Sequence, residues 1–316
     1  MAFISSVSLS VVVPVFRSGD ALLPLYERLA QHLSALSDDW EIILVDDASP
    51  DNSWQVACSL REKDARVRVI RFTHNHGQQH ATLCGLGYAT KDYVITIDDD
   101  LQYFPEDLPL FVNALKSGKH VVIGRIPFAS KQHAWWRNIG SYIHQRLAGK
   151  ILGKPKNLSL SSYRAMTKQV VKRLVLYKGA HPHIAAFLLK SVPPAFIANV
   201  DIRHADREDG SSSSYSLPKL IRTLSYLLIN HSYLPLRLMV IWGVIISIAS
   251  LAFTFWIVAR WTFGSYVLLG WPSLAVLISF LSGNILLALG VVGEYLGRLV
   301  EEASNITQFS IFDERV

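Results

Sequence analysis

The sequence predicts an α/β protein with a mostly parallel sheet, followed by a membrane part. Three observations predict this class. Apolar strands alternate with amphipathic helices over residues 8–124, acidic residues follow two of those strands, and two long uncharged stretches lie towards the C-terminal end. The composition agrees, because 50% of the 316 residues are hydrophobic.

The strands are predicted from continuous apolar, β-branched runs of strand length. Such runs are typical of strands buried on both faces, because a half-exposed strand alternates apolar and polar residues. In chain order they are Ser8–Val15, Glu41–Val45, Val67–Phe72, Asp92–Ile97 and His120–Gly124.

The helices are predicted between these strands from apolar residues at helical spacing, as at Leu22, Leu25, Leu29 and Leu33. Alternation of strands and helices predicts a parallel sheet with helices on both faces. In chain order the helices are Asp20–Leu36, Ser53–Asp64, Gln78–Ala89 and Pro105–Ser117, the last with Pro105 and Glu106 in its first turn.

Acidic residues follow two of the predicted strands, as Asp46-Asp47 and Asp98-Asp99-Asp100. Ligands of parallel sheets bind beyond the carboxyl ends of the strands, so both clusters are expected to border one crevice. Hard cations such as Mg²⁺ or Mn²⁺ take oxygen ligands and bridge carboxylates to phosphates. The sequence has neither a glycine-rich phosphate loop nor a Walker lysine. A carboxylate-bound cation is therefore expected to bind the diphosphate. For the triplet alone, a solvated turn remains an alternative.

Charge and cysteine content limit the partners and the compartment. The net charge of +6 fits nucleic acid, an anionic membrane or a phosphorylated substrate. No basic run with interleaved aromatic residues is present, so nucleic acid is not expected. Cys58 and Cys84 form no CxxC pair, which indicates a reducing compartment. Met1–Phe16 lacks a basic n-region and is read as a strand, not a signal peptide.

Two uncharged stretches predict a transmembrane hairpin. Leu238–Ala259 is flanked by Arg237 and Arg260 and is long enough to cover the ~30 Å hydrocarbon core at about 1.5 Å per residue. The second stretch is Trp261–Gly293, with the span starting near Pro272. Arg260 is the single charge in the connecting loop, whereas basic residues flank the outer ends. The first domain and both termini are therefore expected in the cytoplasm.

Between these parts, apolar residues recur at helical spacing over Leu217–Leu228, with Lys219 and Arg222 between them. This predicts an amphipathic helix at the membrane interface, although a helix docked on the soluble domain is an alternative. Residues Gln308–Phe312 are a candidate strand returning to the soluble domain. The predicted organisation is a soluble α/β domain over 1–215, a juxtamembrane helix over 216–234, a two-helix hairpin over 235–297 and a cytoplasmic tail over 298–316.

Several segments carry a resemblance to a known family. Val11–Phe16, Val45–Asp51, His76–Ala81 and Asp98–Gln102 resemble the inverting glycosyltransferases of the GT-A fold (glycosyltransferase family 2), and specifically the polyprenyl-phosphate sugar transferases. The likeness covers nearly the whole chain and is greatest to the bacterial undecaprenyl-phosphate aminoarabinose-type transferases. Dolichyl-phosphate mannose synthases share much of the pattern.

The resemblance implies a GT-A fold, a nucleotide-sugar donor, in the first place a UDP-sugar, and a divalent cation, Mg²⁺ or Mn²⁺. It implies that Asp100 and Gln102 hold the metal. The implied donor-binding residues are Pro14, Asp46, Asp47, Gln78, Asp98 and Asp99. The implied catalytic residues are Asp98, Asp100, Arg203 and Arg207. The implied binding residues for the acceptor phosphate are Arg137, Arg203, Arg207, Ser213 and Tyr215.

Two departures from the family pattern bear on mechanism. Arg17–Asp20 stands where the family has Asn-Glu, and no acid lies near Ser161, where members carry an aspartate often proposed as the base. A phosphate monoester has its second pKa near ~6, so the acceptor is already a nucleophile at neutral pH. We therefore name no general base. The polar, serine-rich composition of Asp201–Tyr215 also fits a flexible surface loop.

The expected function is transfer of a sugar to a polyprenyl phosphate, such as undecaprenyl phosphate, at the cytoplasmic face of the inner membrane. Family members commonly assemble through the membrane part, so a homo-oligomer is one option, and the sequence leaves the oligomeric state open. One alternative is a processive polysaccharide synthase, which predicts a Q-x-x-R-W motif. That motif is not present in the sequence, since Gln132–Arg137 reads Gln-His-Ala-Trp-Trp-Arg. The other is a non-catalytic, membrane-tethered nucleotide-binding partner, which the missing aspartate supports.

Overall fold

A computed structural model of the protein describes residues 7–127, 155, 158–177, 182–205, 234–262, 271–303 and 308–316. The chain divides into two units, Met1–Ser214 with Thr307–Val316, and Tyr215–Ile306. Within the described residues the first unit is α/β and the second is helical.

The first unit is built on one sheet of eight strands. The strands are β1 (Leu9–Val15), β2 (Trp40–Asp46), β3 (Val67–Phe72), β4 (Tyr93–Thr96), β5 (Val121–Arg125), β6 (Arg164–Thr167), β7 (Ile197–Asp201) and β8 (Ile311–Arg315). Their order across the sheet is β7-β5-β6-β4-β1-β2-β3-β8. The helices of this unit are α1 (Gly19–Leu36), α2 (Ser53–Lys63), α3 (Gln78–Tyr88), α4 (Leu108–Lys116), α5 (Lys168–Val175) and α6 (Ile184–Ser191).

The sheet is mostly parallel, as the sequence predicts. Strands β1 to β4 pair in parallel, and so do β5 and β7, whereas β6 and β8 are antiparallel to their neighbours. Strand β6 lies between β4 and β5 and was not predicted, because it has only four residues and begins with a charged one, Arg164. Strand β8 overlaps the range expected for a returning strand at Ile311 and Phe312 and continues to Arg315.

Helices cover both faces of the sheet, which explains the unbroken apolar runs. All seven residues of β1 and all seven of β2 are buried. One core packs α1, α2 and α4 on one face, through residues such as Leu25 and Phe111. The other core packs α3, α5 and α6 on the opposite face, through residues such as Leu86 and Leu188. The predicted helix over Pro105–Ser117 starts instead as a 3₁₀ turn, Pro105–Asp107, that leads into α4.

Gly85 sets how closely α3 approaches the sheet. A Cβ atom at this position would lie 2.3 Å from Val12 Cγ1 and 3.2 Å from Val45 Cγ2. No larger residue fits without movement of Val12, Val45 or α3. The close approach therefore holds α3 against the face of the sheet that β1 and β2 form.

The second unit contains two long helices, α7 (Leu234–Thr262) and α8 (Trp271–Ala303). Among the described residues one helical stretch, Phe280–Gly297, has the length and apolar composition needed to cross a membrane, and a shorter apolar stretch spans Leu236–Ile246. The helices are joined by a polar contact, in which Trp242 Nε1 donates to Asn284 Oδ1 at 2.9 Å. The predicted juxtamembrane helix lies outside the described residues, except for Leu234.

Candidate active site

The loop after β1 joins the two acidic clusters, because β1 lies between β4 and β2. On the β4 side, Asp99 Oδ2 accepts the Phe16 amide at 2.9 Å and also the Ser18 hydroxyl. Burial raises the pKa of Asp99, and these two hydrogen bonds oppose that effect. Asp99 is therefore turned towards the β1–α1 loop, which it fixes.

The same loop is held on its other side by the turn after β2. The Arg17 amide donates to Ser49 Oγ at 3.1 Å, and the Ser18 amide donates to Ser53 Oγ at 2.9 Å. Ser53 is the first residue of α2. The loop thus ties the end of β4 to the end of β2, so the two clusters border one site.

Asp46, the last residue of β2, is almost fully buried. Its Oδ1 accepts the Ser49 amide at 3.1 Å, and Arg71 Nε lies 3.2 Å from Oδ2, an ion-pair distance without hydrogen-bond alignment. Burial raises the pKa of Asp46, while the Ser49 hydrogen bonds and the Arg71 charge act against that rise.

Asp47 holds the β3–α3 loop, which we define as Thr73–Gly77. Its Oδ1 accepts the His76 amide at 2.7 Å and its Oδ2 accepts the Gly77 amide at 2.8 Å. Burial raises the pKa of Asp47, and the two amide donors oppose the rise. Both oxygens of this carboxylate are engaged within the protein.

Gln78 and Asp98 connect this loop to the end of β4. Gln78 Nε2 donates to Asp98 Oδ1 at 2.7 Å, and the Ser162 hydroxyl donates to Asp98 Oδ2. Burial raises the pKa of Asp98 to about 6, and the charges of Asp100 and Asp99 act in the same direction. A cation beside this cluster would favour the ionised form.

Backbone strain is concentrated at the same place, beyond the carboxyl ends of the central strands. Among the described residues, the non-glycine residues with positive φ are Arg17 (58°), Ala48 (55°) and Leu101 (59°). Each follows the end of β1, β2 or β4, which are adjacent in the sheet. Non-glycine residues in this region of backbone space are uncommon and collect at functional sites. Pro14 lies within β1 at this edge, beyond Val12, the last β1 residue paired with β4.

Asp100 and Gln102 lie on the turn after β4, where the Gln102 amide donates to Asp100 Oδ1 at 3.2 Å. Asp100 is exposed, whereas Asp98 and Asp99 are partly buried. No cluster of three His, Cys, Asp or Glu side chains suited to a metal occurs in the described part of the chain. The carboxylate and amide oxygens present are hard donors that suit Mg²⁺ or Mn²⁺ if substrate oxygens complete the shell.

Arg203 is anchored next to this turn by Asp107. Its amide donates to Asp107 Oδ2 at 2.9 Å, and its Nε and Nη2 donate to Oδ1 at 2.9 and 2.7 Å. The Arg203 guanidinium also lies over the Phe104 ring, 5.2 Å from its centroid. The side chain is 59% exposed, so it borders solvent while it is paired. Four further predicted site residues, Arg137, Arg207, Ser213 and Tyr215, lie outside the described residues.

The segment Leu158–Arg164 resembles a family motif, but sequence reasoning gave no role to two of its residues that lie around Asp98. Besides Ser162, Arg164 is almost fully buried on β6, which pairs it with Thr96 of β4. Burial lowers the pKa of Arg164 to about 10, and the charge of Asp98 acts against that fall. Its Nη1 has no hydrogen-bond partner among the described residues. The available signal was a charged residue followed by apolar ones in Arg164-Ala165-Met166.

Comparison with known proteins identifies the family to which the chain belongs. The model of the family "Glycosyl transferase family 2" matches residues 10–175. The chain is 31% identical over 299 residues to an undecaprenyl-phosphate 4-deoxy-4-formamido-L-arabinose transferase of Proteus mirabilis, covering 93% of this chain and 89% of that protein. It is 30% identical over 303 residues to the transferase of that name from Edwardsiella ictaluri, covering 93% and 90%.

Among solved structures, the fold is similar to glucosyl-3-phosphoglycerate synthase of Mycobacterium tuberculosis. In its complex with phosphoglyceric acid the TM-score is 0.51 at 17% identity, covering 71% of this chain and 80% of that one. In its complex with Mn²⁺ and UDP-glucose the TM-score is 0.50 at 17% identity, covering 71% and 77%. At this identity the likeness establishes the α/β fold of the first unit.

Proposed function

This chain belongs to glycosyltransferase family 2, and from that premise we propose that it transfers a sugar from a nucleotide-sugar donor to undecaprenyl phosphate. The acceptor is inferred from the names of relatives that match it over almost its whole length. The observation that carries the proposal is the edge formed by β4, β1 and β2, where two acidic clusters are tied into one site by the β1–α1 loop.

For the donor, we assign the nucleoside to the β2 side and the diphosphate to the β4 side. Asp46 and Pro14 border the first, and Asp98 borders the second. Asp47 and Gln78 act through the β3–α3 loop, since Asp47 fixes its amides and Gln78 fixes Asp98. A UDP-sugar is the first candidate, by analogy with the Mycobacterium tuberculosis synthase solved with UDP-glucose.

A divalent cation fits the turn after β4. Asp100 and Gln102 would hold it, and when bound it would neutralise charge that develops on the leaving diphosphate. Asp98 is kept in place by Gln78 and Ser162 on its two oxygens, so that its carboxylate keeps one orientation towards the donor. Asp99 contributes indirectly, because it fixes the β1–α1 loop.

The acceptor phosphate is proposed to meet Arg203 and Arg207, with Arg137, Ser213 and Tyr215 as further contacts. Arg203 is fixed by Asp107 through one edge of its planar guanidinium, and such a fork suits phosphate recognition through its remaining donors. Because the phosphate dianion is itself nucleophilic, positioning the acceptor is the main task of these residues, and no general base is assigned.

We further propose that α7 and α8 form a two-span hairpin in the inner membrane, with the first unit in the cytoplasm. The apolar stretch Phe280–Gly297 supports a span in α8. The basic residues Arg237 and Arg298, against Arg260 in the loop, support this orientation.

The test is a glycosyl-transfer assay with the purified full chain, undecaprenyl phosphate, a panel of nucleotide sugars, and Mg²⁺ or Mn²⁺. The proposal expects a prenyl-phosphate sugar, loss of activity with a chelator, and recovery when the cation is restored. Asp100→Ala should lose most of the activity, whereas Asp38→Ala, an exposed acidic residue outside the site, should retain it. Nucleotide binding without turnover across the panel would favour a non-catalytic partner instead, and polymeric product would favour a processive synthase.

A further inference from the structure

We propose that residues 308–316, here called the tail segment, hold the β3–α3 loop in the geometry that the donor site needs. The tail segment belongs to the first unit although it follows the two long helices of the second. The inference rests on the proposed donor site, and it assigns a positioning role to residues remote in sequence from every residue assigned to the donor.

From the site side, the β3–α3 loop links the two acidic clusters. Asp47 accepts the amides of His76 and Gly77. Gly77 has a φ of 93°, which favours glycine, and α3 begins at the next residue. That residue, Gln78, donates to Asp98. A shift of this loop therefore changes the surroundings of Asp47 and Asp98 together.

From the outer side, Ser310 of the tail segment contacts the loop at Thr73 and at His76. The Thr73 amide donates to the Ser310 carbonyl at 2.9 Å, and the two hydroxyl groups are also hydrogen-bonded. The Ser310 amide donates to His76 Nε2 at 3.4 Å. The side chain of His76 is thus bound by the tail segment while its amide is bound by Asp47.

Aromatic packing continues this contact. The ring of Phe309 is stacked on Phe72, with centroids 5.2 Å apart and planes at 14°. The ring of His76 meets Phe72 edge-on, at 5.3 Å and 85°. Burial lowers the pKa of His76, and the neighbouring His74 and His80 act in the same direction. Neutral imidazole keeps a nitrogen that accepts a hydrogen bond, as the contact with Ser310 requires.

The tail segment also closes an open sheet edge. Strand β8 pairs antiparallel with β3, and Glu314 accepts a hydrogen bond from Tyr88 at the far end of α3. Without this strand the amides on that side of β3 would have no ladder partner, and the loop would sample more conformations. Ordering the loop on donor binding would then reduce affinity, because preorganisation is lost.

A matched pair of phenylalanines allows a direct test. Phe309 packs against the core around Phe72, whereas Phe312, on the same segment, is 70% exposed. In the full chain in detergent, we would compare Phe309→Ala, Phe312→Ala and deletion of 308–316. Two measurements are needed: hydrogen exchange of the peptide that covers residues 73–78, and the affinity for UDP with Mn²⁺ as the probe.

We expect faster exchange of residues 73–78 in Phe309→Ala than in Phe312→Ala, and a Kd for UDP raised about threefold to tenfold, as the loss of one aromatic contact implies. The deletion should have the larger effect, while the amides of β1 stay protected. Equal exchange and equal Kd in the two alanine variants would overturn the inference. If the unaltered chain binds no UDP but Phe309→Ala still loosens the loop, the donor assignment fails and the contact between tail and loop stands.

Discussion

Gln78 Nε2 lies 2.7 Å from Asp98 Oδ1, so the first residue of α3 is hydrogen-bonded to the residue at which the acidic triplet after β4 begins. Asp98 is flanked by two further carboxylates, and its pKa is raised to about 6 by burial and by those neighbours. A neutral amide donor is therefore the right group at position 78. It steadies the carboxylate without adding charge.

Replacing Gln78 tests this relationship. Gln78→Ala should lower kcat/KM about tenfold to a hundredfold, because one hydrogen bond to a charged group is lost. Gln78→Glu should lower kcat/KM further, since a fourth carboxylate would join those of Asp98, Asp99 and Asp100. Initial rates at several donor concentrations would measure both. Equal rates in Gln78→Glu and the unaltered chain would contradict the role given to this hydrogen bond.

Asp47→Asn tests whether both carboxylate oxygens matter. An asparagine can accept the amide of either His76 or Gly77, but its NH₂ group would then face the other amide. We expect a loss of about 1–3 kcal/mol in stability, from the amide left unsatisfied. Thermal unfolding in detergent would show the loss of stability as a lower midpoint. Nucleotide binding, measured separately, should also be weaker. Asp38→Asn, on the exposed surface, is the control and should change neither.

Gly85 and Gly87 form a matched pair on α3. In Gly85→Ala the new Cβ would lie 2.3 Å from Val12 Cγ1, whereas in Gly87→Ala it would lie 3.8 Å from Val175 Cγ1. Overpacking should cost Gly85→Ala about 1–3 kcal/mol. Gly87→Ala should gain up to about 1 kcal/mol from helix propensity. A thermal midpoint that rises in Gly85→Ala, as it should in Gly87→Ala, would show that α3 has room to shift away from the sheet.

Glu41 gives a prediction about pH. It is buried on β2, and its carboxylate accepts the Ser10 hydroxyl at 2.6 Å and the Thr90 amide at 2.7 Å. Burial acts to raise the pKa of Glu41, but these hydrogen bonds and the charge of Arg68 outweigh it and hold the pKa below its usual value.

A lowered folded-state pKa means that Glu41 stabilises the fold above its unfolded pKa of about 4.3, and that this contribution is lost as the pH falls through the lower folded value. Glu41→Gln should therefore be less stable than the unaltered chain at pH 7. It should also lose less further stability between about pH 5 and pH 3. Unfolding midpoints across that range would decide it, and parallel curves would exclude a contribution from this carboxylate.

The sequence predicted the parallel sheet and the edge where Asp46 and Asp98 lie, because continuous apolar strands and strand-end acids leave a direct record in the residue pattern. It did not predict what each carboxylate contacts. Asp47 and Asp99 both face protein amides, and that division depends on the paths of two loops. Similarly, nothing local to Arg203 indicates its pairing with Asp107, which is 96 residues earlier.

Strand β6 was not predicted, and Arg164 was given no role, for a different reason. Four residues with a charge at one end carry little periodic signal, and their place between β4 and β5 is fixed only by the sheet around them. The buried guanidinium of Arg164 is stabilised by the negative charge of Asp98 nearby. Pairing between distant strands is therefore the part of this site that local sequence patterns do not encode.

The pairing of β8 with β3 also sets an order of events during synthesis. Ser310 leaves the ribosome 237 residues after Thr73, its partner. At about 5–20 residues per second that is a delay of roughly ten to fifty seconds, during which both long helices are made. During this interval one side of β3 in the nascent first unit has no partner strand. That side is accessible to chaperones and to other nascent chains. Assembly of the first unit is completed only after both long helices have emerged.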